Sequence, residues 1–216
     1  MIKGVRSNVV DANGSCGDYM PWTLDRIRAL IPLPDEEMVP LPEHFLHASA
    51  IHGQAHVARV LVHALRLVES TGFVEETRRL WAAVYLHDLA RRNDWGCDRH
   101  GRDAGDLLQH LPKVLALFER VGIRESDHPA IEFSVTSHCT IEPAPSDPHY
   151  RLAALLKDAD GLDRVRLGDL DPRYFRHKEA RGMVKFARQL YRTTDQEIPS
   201  GCGYFSGLWK TIYNES

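Results

Sequence analysis

Three short segments of the chain bring together residue types that can do joint chemistry. In IHGQAHVARV, His52, His56, Arg59 and His63 recur at i, i+4, i+7 and i+11. At about 100° per residue they share one helical stripe beside an apolar face. In YLHDLAR, His87 and Asp88 sit side by side near the end of an apolar run. In LLKDADGLDRVR, Asp158, Asp160 and Asp163 interrupt a stretch otherwise fit for a core. Imidazole and carboxylate jointly ligate divalent cations, and a buried acid is costly unless paired or ligated. Taken singly, each segment has a plainer reading: a flank histidine bonded to a carbonyl, a polar helix end, or an acid paired with Arg164 or Arg166. For His63 the plainer reading is the expectation. The three together, in this order, point to a metal site.

Such residues converge only if regular elements carry them, and the apolar spacing supplies helices. Val57, Val60, Leu61, Ala64, Leu65 and Val68 recur at helical intervals, with Gly72 as a stop. The pattern predicts further helices over 75–91, around 107–111, from Pro112 through Phe118, and over 129–138, 149–164 and 178–192. Strand-like alternation is scarce, so the expected fold is all-α, a globular helical bundle. Residues 1–50 differ from the rest. Pro21, Pro32, Pro34, Pro40 and Pro42 punctuate them, so IPLPDEEMVPLP cannot be one helix. They read as an N-terminal extension, a short helix near 22–31 followed by a Pro-rich connection, ahead of a helical domain over 51–216. The aromatic-rich CGYFSGLWKTIY near the C-terminus is expected to join the core.

The ordered set His56, His87-Asp88 and Asp160 resembles the HD-domain superfamily of metal-dependent hydrolases. Its signature is a histidine on one helix, a His-Asp doublet on another and a distant aspartate on a third. HVARV is similar to the family's H-x-x-R-V opening and DADGLD to its closing D-A-D-x-L-D, and the resemblance spans roughly residues 50–170. It implies an HD-type helical domain in which His56, His87, Asp88 and Asp160 ligate a divalent ion (Mn, Fe, Co, Ni, Mg or Zn). The helical wheel does not choose between Asp158 and Asp160, which lie about 200° apart, each about 100° from the apolar centre. Only the family phrase selects Asp160. Asp163 falls near the centre of the apolar side and is expected to be a buried acid paired with an arginine. His100 and His138 stand where the wider family adds ligands for a second metal, or where mononuclear members meet the substrate phosphate. The resemblance therefore implies one or two ions per chain. His52, one turn before His56, is a further ligand or a neighbour of one.

The resemblance further implies a phosphohydrolase in which a metal-activated water attacks a phosphomonoester or phosphodiester, a nucleotide or small phosphorylated metabolite. Asp88 would bridge two ions or orient the water. Arg59 and Lys157 are expected to assist catalysis, and Arg59, Lys157, Arg164 and Arg173 to bind the phosphate. Two alternatives share the ligand set: a dinuclear-iron oxygenase of the same type, and a non-catalytic sensor of metal or nucleotide. No GYP motif of the cyclic-dinucleotide branch is present. The chain's 216 residues carry 27 basic and 30 acidic side chains, a formal charge of −3, so no basic surplus points to a nucleic-acid polymer. Cys16, Cys97, Cys139 and Cys202 form no CxxC pair, which fits reduced thiols. No signal-like or membrane-spanning run is visible, so a cytoplasmic protein without a membrane partner is expected.

Overall fold

The apolar spacing is realised as helices, with no strand among the described residues, which are 23–140, 142–194 and 204–213 of the computed structural model. The expectations that touch Cys16, Pro21, Trp22 and Cys202 lie outside them. Helix α1 (Leu24–Leu30) starts at Thr23, whose hydroxyl accepts the Arg26 N–H at 3.2 Å. Helix α2 (Gln54–Thr71) stops at Gly72, where φ is 77° and a side chain would be strained. Helices α3 (Thr77–Leu86), α4 (His100–His110) and α5 (Pro112–Val121) follow, with Pro112 opening α5 at the position that needs no N–H donor. Then come α6 (His128–Ser137), α7 (Tyr150–Leu162), α8 (Lys178–Gly182), α9 (Val184–Thr194) and α10 (Tyr204–Tyr213). The architecture is an all-α globular bundle.

Two elements differ from the spacing-based expectation. The helix expected over 75–91 ends at Leu86, and His87–Ala90 form a turn instead. Adjacent residues of a regular helix diverge by about 100°. His87 and Asp88 must face one centre, so the backbone tightens there, with Leu89 N–H donating to Leu86 O and Arg91 N–H to Asp88 O. The helix expected over 178–192 is split after Gly182 into α8 and α9. Glycine has a low helix propensity, and Met183 at the break turns its side chain into the core.

Helix α2 runs through the middle of the bundle, packed against α3, α7, α9 and α10. Its apolar residues from Val57 to Val68 are buried, and so are His56, Arg59 and His63. Helix α6 packs against α3, α4 and α7. Ile27, Ile31, Leu33, Met38 and Val39 belong to the same core, and the Trp81 indole N–H donates to the Met38 carbonyl at 2.9 Å. Tyr204, Phe205, Leu208 and Trp209 of α10 close the bundle as buried core residues. Among the described residues no helix is long and apolar enough to cross a membrane.

His63 is fully buried, its ring set edge-on to Phe186, and neither ring nitrogen meets a hydrogen-bond partner among the described residues. Burial pushes its pKa down to about 4 from the ordinary 6.5. The unfolded chain therefore takes up a proton near pH 6.5 that the folded chain refuses until about pH 4. In that window the unfolded state binds more protons, so stability falls as pH falls, by about 3 kcal/mol in total. Urea unfolding of His63→Leu beside the parent, between pH 7 and 4, should show the parent losing that increment relative to the variant. Parallel pH profiles would refute the assignment.

Candidate metal centre

Four imidazoles and two carboxylates converge where the ends of α3 and α6, the starts of α2 and α4, and the last turn of α7 meet. The last carbonyls of a helix lack intrahelical partners. His87 follows α3 and donates its Nδ1–H to Val84 O at 2.7 Å. His138 follows α6 and donates likewise to Val135 O at 2.5 Å. His100, opening α4, donates from Nδ1 to Cys97 O at 2.7 Å, and His56 from Nδ1 to Asp163 Oδ2 at 2.8 Å. A carbonyl or carboxylate oxygen cannot donate, so every Nδ1 carries the hydrogen and every neutral ring turns a bare Nε2 lone pair inward.

The Nε2 atoms face each other in two couples. His56 Nε2 lies 3.1 Å from His87 Nε2, and His100 Nε2 lies 2.9 Å from His138 Nε2. Asp88 stands between the couples. Its Oδ2 is 3.3 Å from His56 Nε2 and 3.7 Å from His87 Nε2. Its Oδ1 is 3.3 Å from His100 Nε2 and 3.8 Å from His138 Nε2. Asp160 Oδ1 joins the first couple, 3.3 Å from His56 Nε2. A divalent ion with donors at about 2.0–2.2 Å sets neighbouring donors about 3.0 Å apart at right angles and about 3.4 Å apart in a tetrahedron. Both halves of the cluster have edges of that size. These buried histidines and aspartates can hold a metal ion.

The electrostatics of the cluster favour a cation. Burial and Arg166 oppose a proton on His56, but Asp160, Asp163 and Asp88 outweigh them and push its pKa up to about 9. Burial likewise opposes a proton on His100, and Asp88 and Cys139 together outweigh it, for a pKa pushed up to about 10. At His87 burial, aided by His56 and His138, outweighs Asp88 and Asp160, and its pKa is pushed down to about 3. Desolvation would raise Asp88 and Asp160, yet the surrounding imidazoles hold both well below the usual carboxylate range. Carboxylates that stabilise a proton at His56 and His100 attract any small cation in the same space.

The three acids of DADGLD have three separate places. Asp160 faces the imidazoles, its side chain 24% exposed. Asp158 is fully buried on the other side of α7, where it accepts from the backbone N–H groups of Arg176 and His177 and from both their side chains. It anchors the 171–178 segment. Asp163 is buried and takes Nε and Nη2 of Arg59 at 2.7 and 3.1 Å besides the His56 ring. Burial would raise its pKa, but His56 and Arg59 hold it down to about 2.

The cationic residues expected at a substrate phosphate have definite partners. Arg59 is buried, committed to Asp163 and set over the Tyr191 ring. Lys157 Nζ donates to three main-chain carbonyls, Ser137 O, His138 O and Thr140 O, at 2.7–3.3 Å. These three bonds use all the hydrogens of an ammonium. Lys157 thus caps α6 and fixes the turn that carries His138. Arg164 pairs with Asp169 and Arg173 with Asp171, Arg173 being 86% exposed. Beside the cluster opens a cleft of about 370 Å³ lined by Asp160, His138, Lys157, Arg164, Arg176 and Tyr174 among others. A larger apolar cleft of about 840 Å³, around Tyr85, Leu111 and Leu117, includes none of the six converging residues.

Spacing named His52 as a further ligand or a neighbour of one, but not how it, Arg166 and Arg91 meet the cluster. His52 precedes α2 instead of lying on it, yet its Nδ1 is 2.9 Å from Asp88 Oδ2. Ser49 Oγ fixes this approach by accepting the His52 backbone N–H at 2.8 Å. Arg166 Nη2 lies 3.1 Å from the same His52 nitrogen, and Arg91 Nε donates to Asp88 Oδ1 at 2.8 Å. The i, i+3 spacing of Asp88 and Arg91 was the one available signal. Gly101 is a fourth contributor. A Cβ there would meet Val135 O at 2.5 Å and His138 Nδ1 at 3.1 Å, so only glycine lets α4 seat against the end of α6. Helix propensity favours alanine by about 1 kcal/mol. Gly101→Ala should nevertheless lower stability by about 1–3 kcal/mol, because a backbone oxygen cannot move aside cheaply. A variant more stable to urea than the parent would contradict this packing.

No family model, curated protein or solved structure matches the chain, so the interpretation of the centre stands on its geometry.

Proposed function

We propose that the chain is a phosphohydrolase of the HD-domain type that works with divalent metal and acts on a small phosphomonoester or phosphodiester, such as a nucleotide. One observation carries the reading: four Nε2 atoms converge around Asp88, whose two oxygens each face one pair, with Asp160 against His56, beside a cleft rimmed by arginines. Bound divalent ions would lower the pKa of water toward neutrality and offset charge developing on phosphoryl oxygens. The chain's own residues do the rest. Asp88 turns one oxygen to each imidazole couple, and Arg91 and His52 hold that carboxylate still. Asp160 and His138 line the cleft, so substrate meets the cluster on that side. Arg164 and Arg176 lie at the rim and exchange Asp169 and Glu142 for phosphate oxygens, matching planar donors to planar acceptors. Tyr174, 75% exposed, offers an aromatic face to a base. The cleft volume suits a ligand of nucleotide size or smaller. Arg59 and Lys157 act through His56 and His138, as positioning residues.

The test is phosphate release from phosphomonoesters and phosphodiesters by metal-stripped protein reloaded with Mn, Fe, Co, Ni, Mg or Zn in turn. Turnover that appears only with metal is the expected result. Oxygen uptake by the iron-loaded protein without phosphate release would replace the proposal with an oxygenase. Tight nucleotide binding without turnover would replace it with a sensor.

A further inference from the structure

We infer that Cys139 supplies a thiolate donor to the second metal position, beside His100 and His138; this rests on the metal-centre reading of those two histidines. One ring nitrogen of His100, one of His138 and the Cys139 sulfur all lie within 4.8 Å of one another. A tetrahedral ion with nitrogen at about 2.0–2.1 Å and sulfur at about 2.3 Å holds them about 3.6 Å apart, so a small adjustment of one short side chain closes the set. The backbone is arranged for this approach. Cys139 follows His138 on the turn leaving α6, and Gly101 brings the first turn of α4 against it, with a Cβ at 101 falling 2.9 Å from the sulfur. His100 is buried with its Nδ1 committed to Cys97 O, so its Nε2 is aimed into the same space. The metal-free Cys139 thiol donates to the Asp98 carbonyl at 3.5 Å; binding as a thiolate would release that proton to solvent and give up this bond for the one to the metal. Asp88 Oδ1 lies 3.3 Å from His100 Nε2 and 3.8 Å from His138 Nε2, so it would be the oxygen donor to an ion held by the two nitrogens and the sulfur.

The consequence is a centre whose halves differ in softness. His56, His87, Asp88 and Asp160 offer nitrogen and oxygen alone, which suits Mn or Mg as well as softer ions. The half with Cys139 selects Zn, Fe or Co, because thiolate discriminates against hard cations.

Cobalt titration of the metal-stripped full chain tests this. Two Co(II) per chain are expected, with an intense near-ultraviolet thiolate-to-cobalt band that Cys139→Ser abolishes and Cys97→Ser keeps. Two bound cobalt ions without that band, or a band that survives in Cys139→Ser, would overturn the thiolate donor and leave the metal centre intact. Failure to bind any cobalt would overturn the metal centre itself. Should Cys139→Ser fold poorly, X-ray absorption of the zinc-loaded parent decides: sulfur in the zinc shell supports the assignment, and a shell of nitrogen and oxygen alone refutes it.

Discussion

Asp88→Ala is expected to abolish metal-dependent turnover by at least about 10³-fold, equivalent to roughly 4 kcal/mol of lost transition-state stabilisation. It should also cut the number of ions retained by the folded chain. The size of the effect follows from the position of the side chain. Each other donor in the cluster faces one imidazole couple, whereas Asp88 turns Oδ2 to His56 and His87 and Oδ1 to His100 and His138. Removing it takes one anionic donor from each half at once. The binding readout is independent of activity. An ion at 100 times its dissociation constant stabilises the native state by about 2.7 kcal/mol, which thermal denaturation detects readily. The parent should gain that increment on adding metal after chelation, and Asp88→Ala should gain little of it. A variant with parental turnover or a parental metal-induced shift would rule out the bridging role.

How far the sequence reached follows from what each signal encodes. Apolar period encodes which face of a helix is buried, so the helices and the apolar face of α2 were legible. The order His56, His87-Asp88, His100, His138, Asp160 was legible as well, and the structure brings those donor atoms together. Spacing does not encode what a long cation bonds to. Arg59 and Lys157 stood beside the stripe and the final aspartates and suited a substrate phosphate. The partners that occupy them, Asp163 and the carbonyls of Ser137, His138 and Thr140, lie more than 15 residues away in the chain. Asp158 illustrates the same limit. The wheel left it level with Asp160, and the choice depended on Arg176 and His177 arriving from another segment to bury it. His52 was read, one helical turn before His56, as a further ligand or a neighbour of one. It reaches Asp88 from a turn whose geometry is set by Ser49, which no periodicity reports.

Asp163 separates what the fold needs from what the centre needs. Asp163→Asn removes the carboxylate charge that meets the buried Arg59 guanidinium at 2.7 Å and should cost about 3–5 kcal/mol, a fall in Tm on the order of 10 °C for a chain of this length. Replacing both partners of a buried pair by apolar side chains of similar size removes the uncompensated charge. Arg59→Leu combined with Asp163→Leu should therefore recover most of the stability lost by the single variant. Metal affinity should not recover with it. His56 Nδ1–H would still lack the acceptor at 2.8 Å that fixes its tautomer and aims its Nε2 at Asp88 and His87, and losing such a partner weakens metal binding about 10–100-fold. Urea unfolding of the chelated proteins and zinc competition titrations measure the two quantities separately. A double variant that regains stability and also binds metal as tightly as the parent would show that Asp163 serves the core alone. A double variant that regains stability with weakened affinity assigns it to both the core and the centre, since only the second depends on where the His56 proton sits.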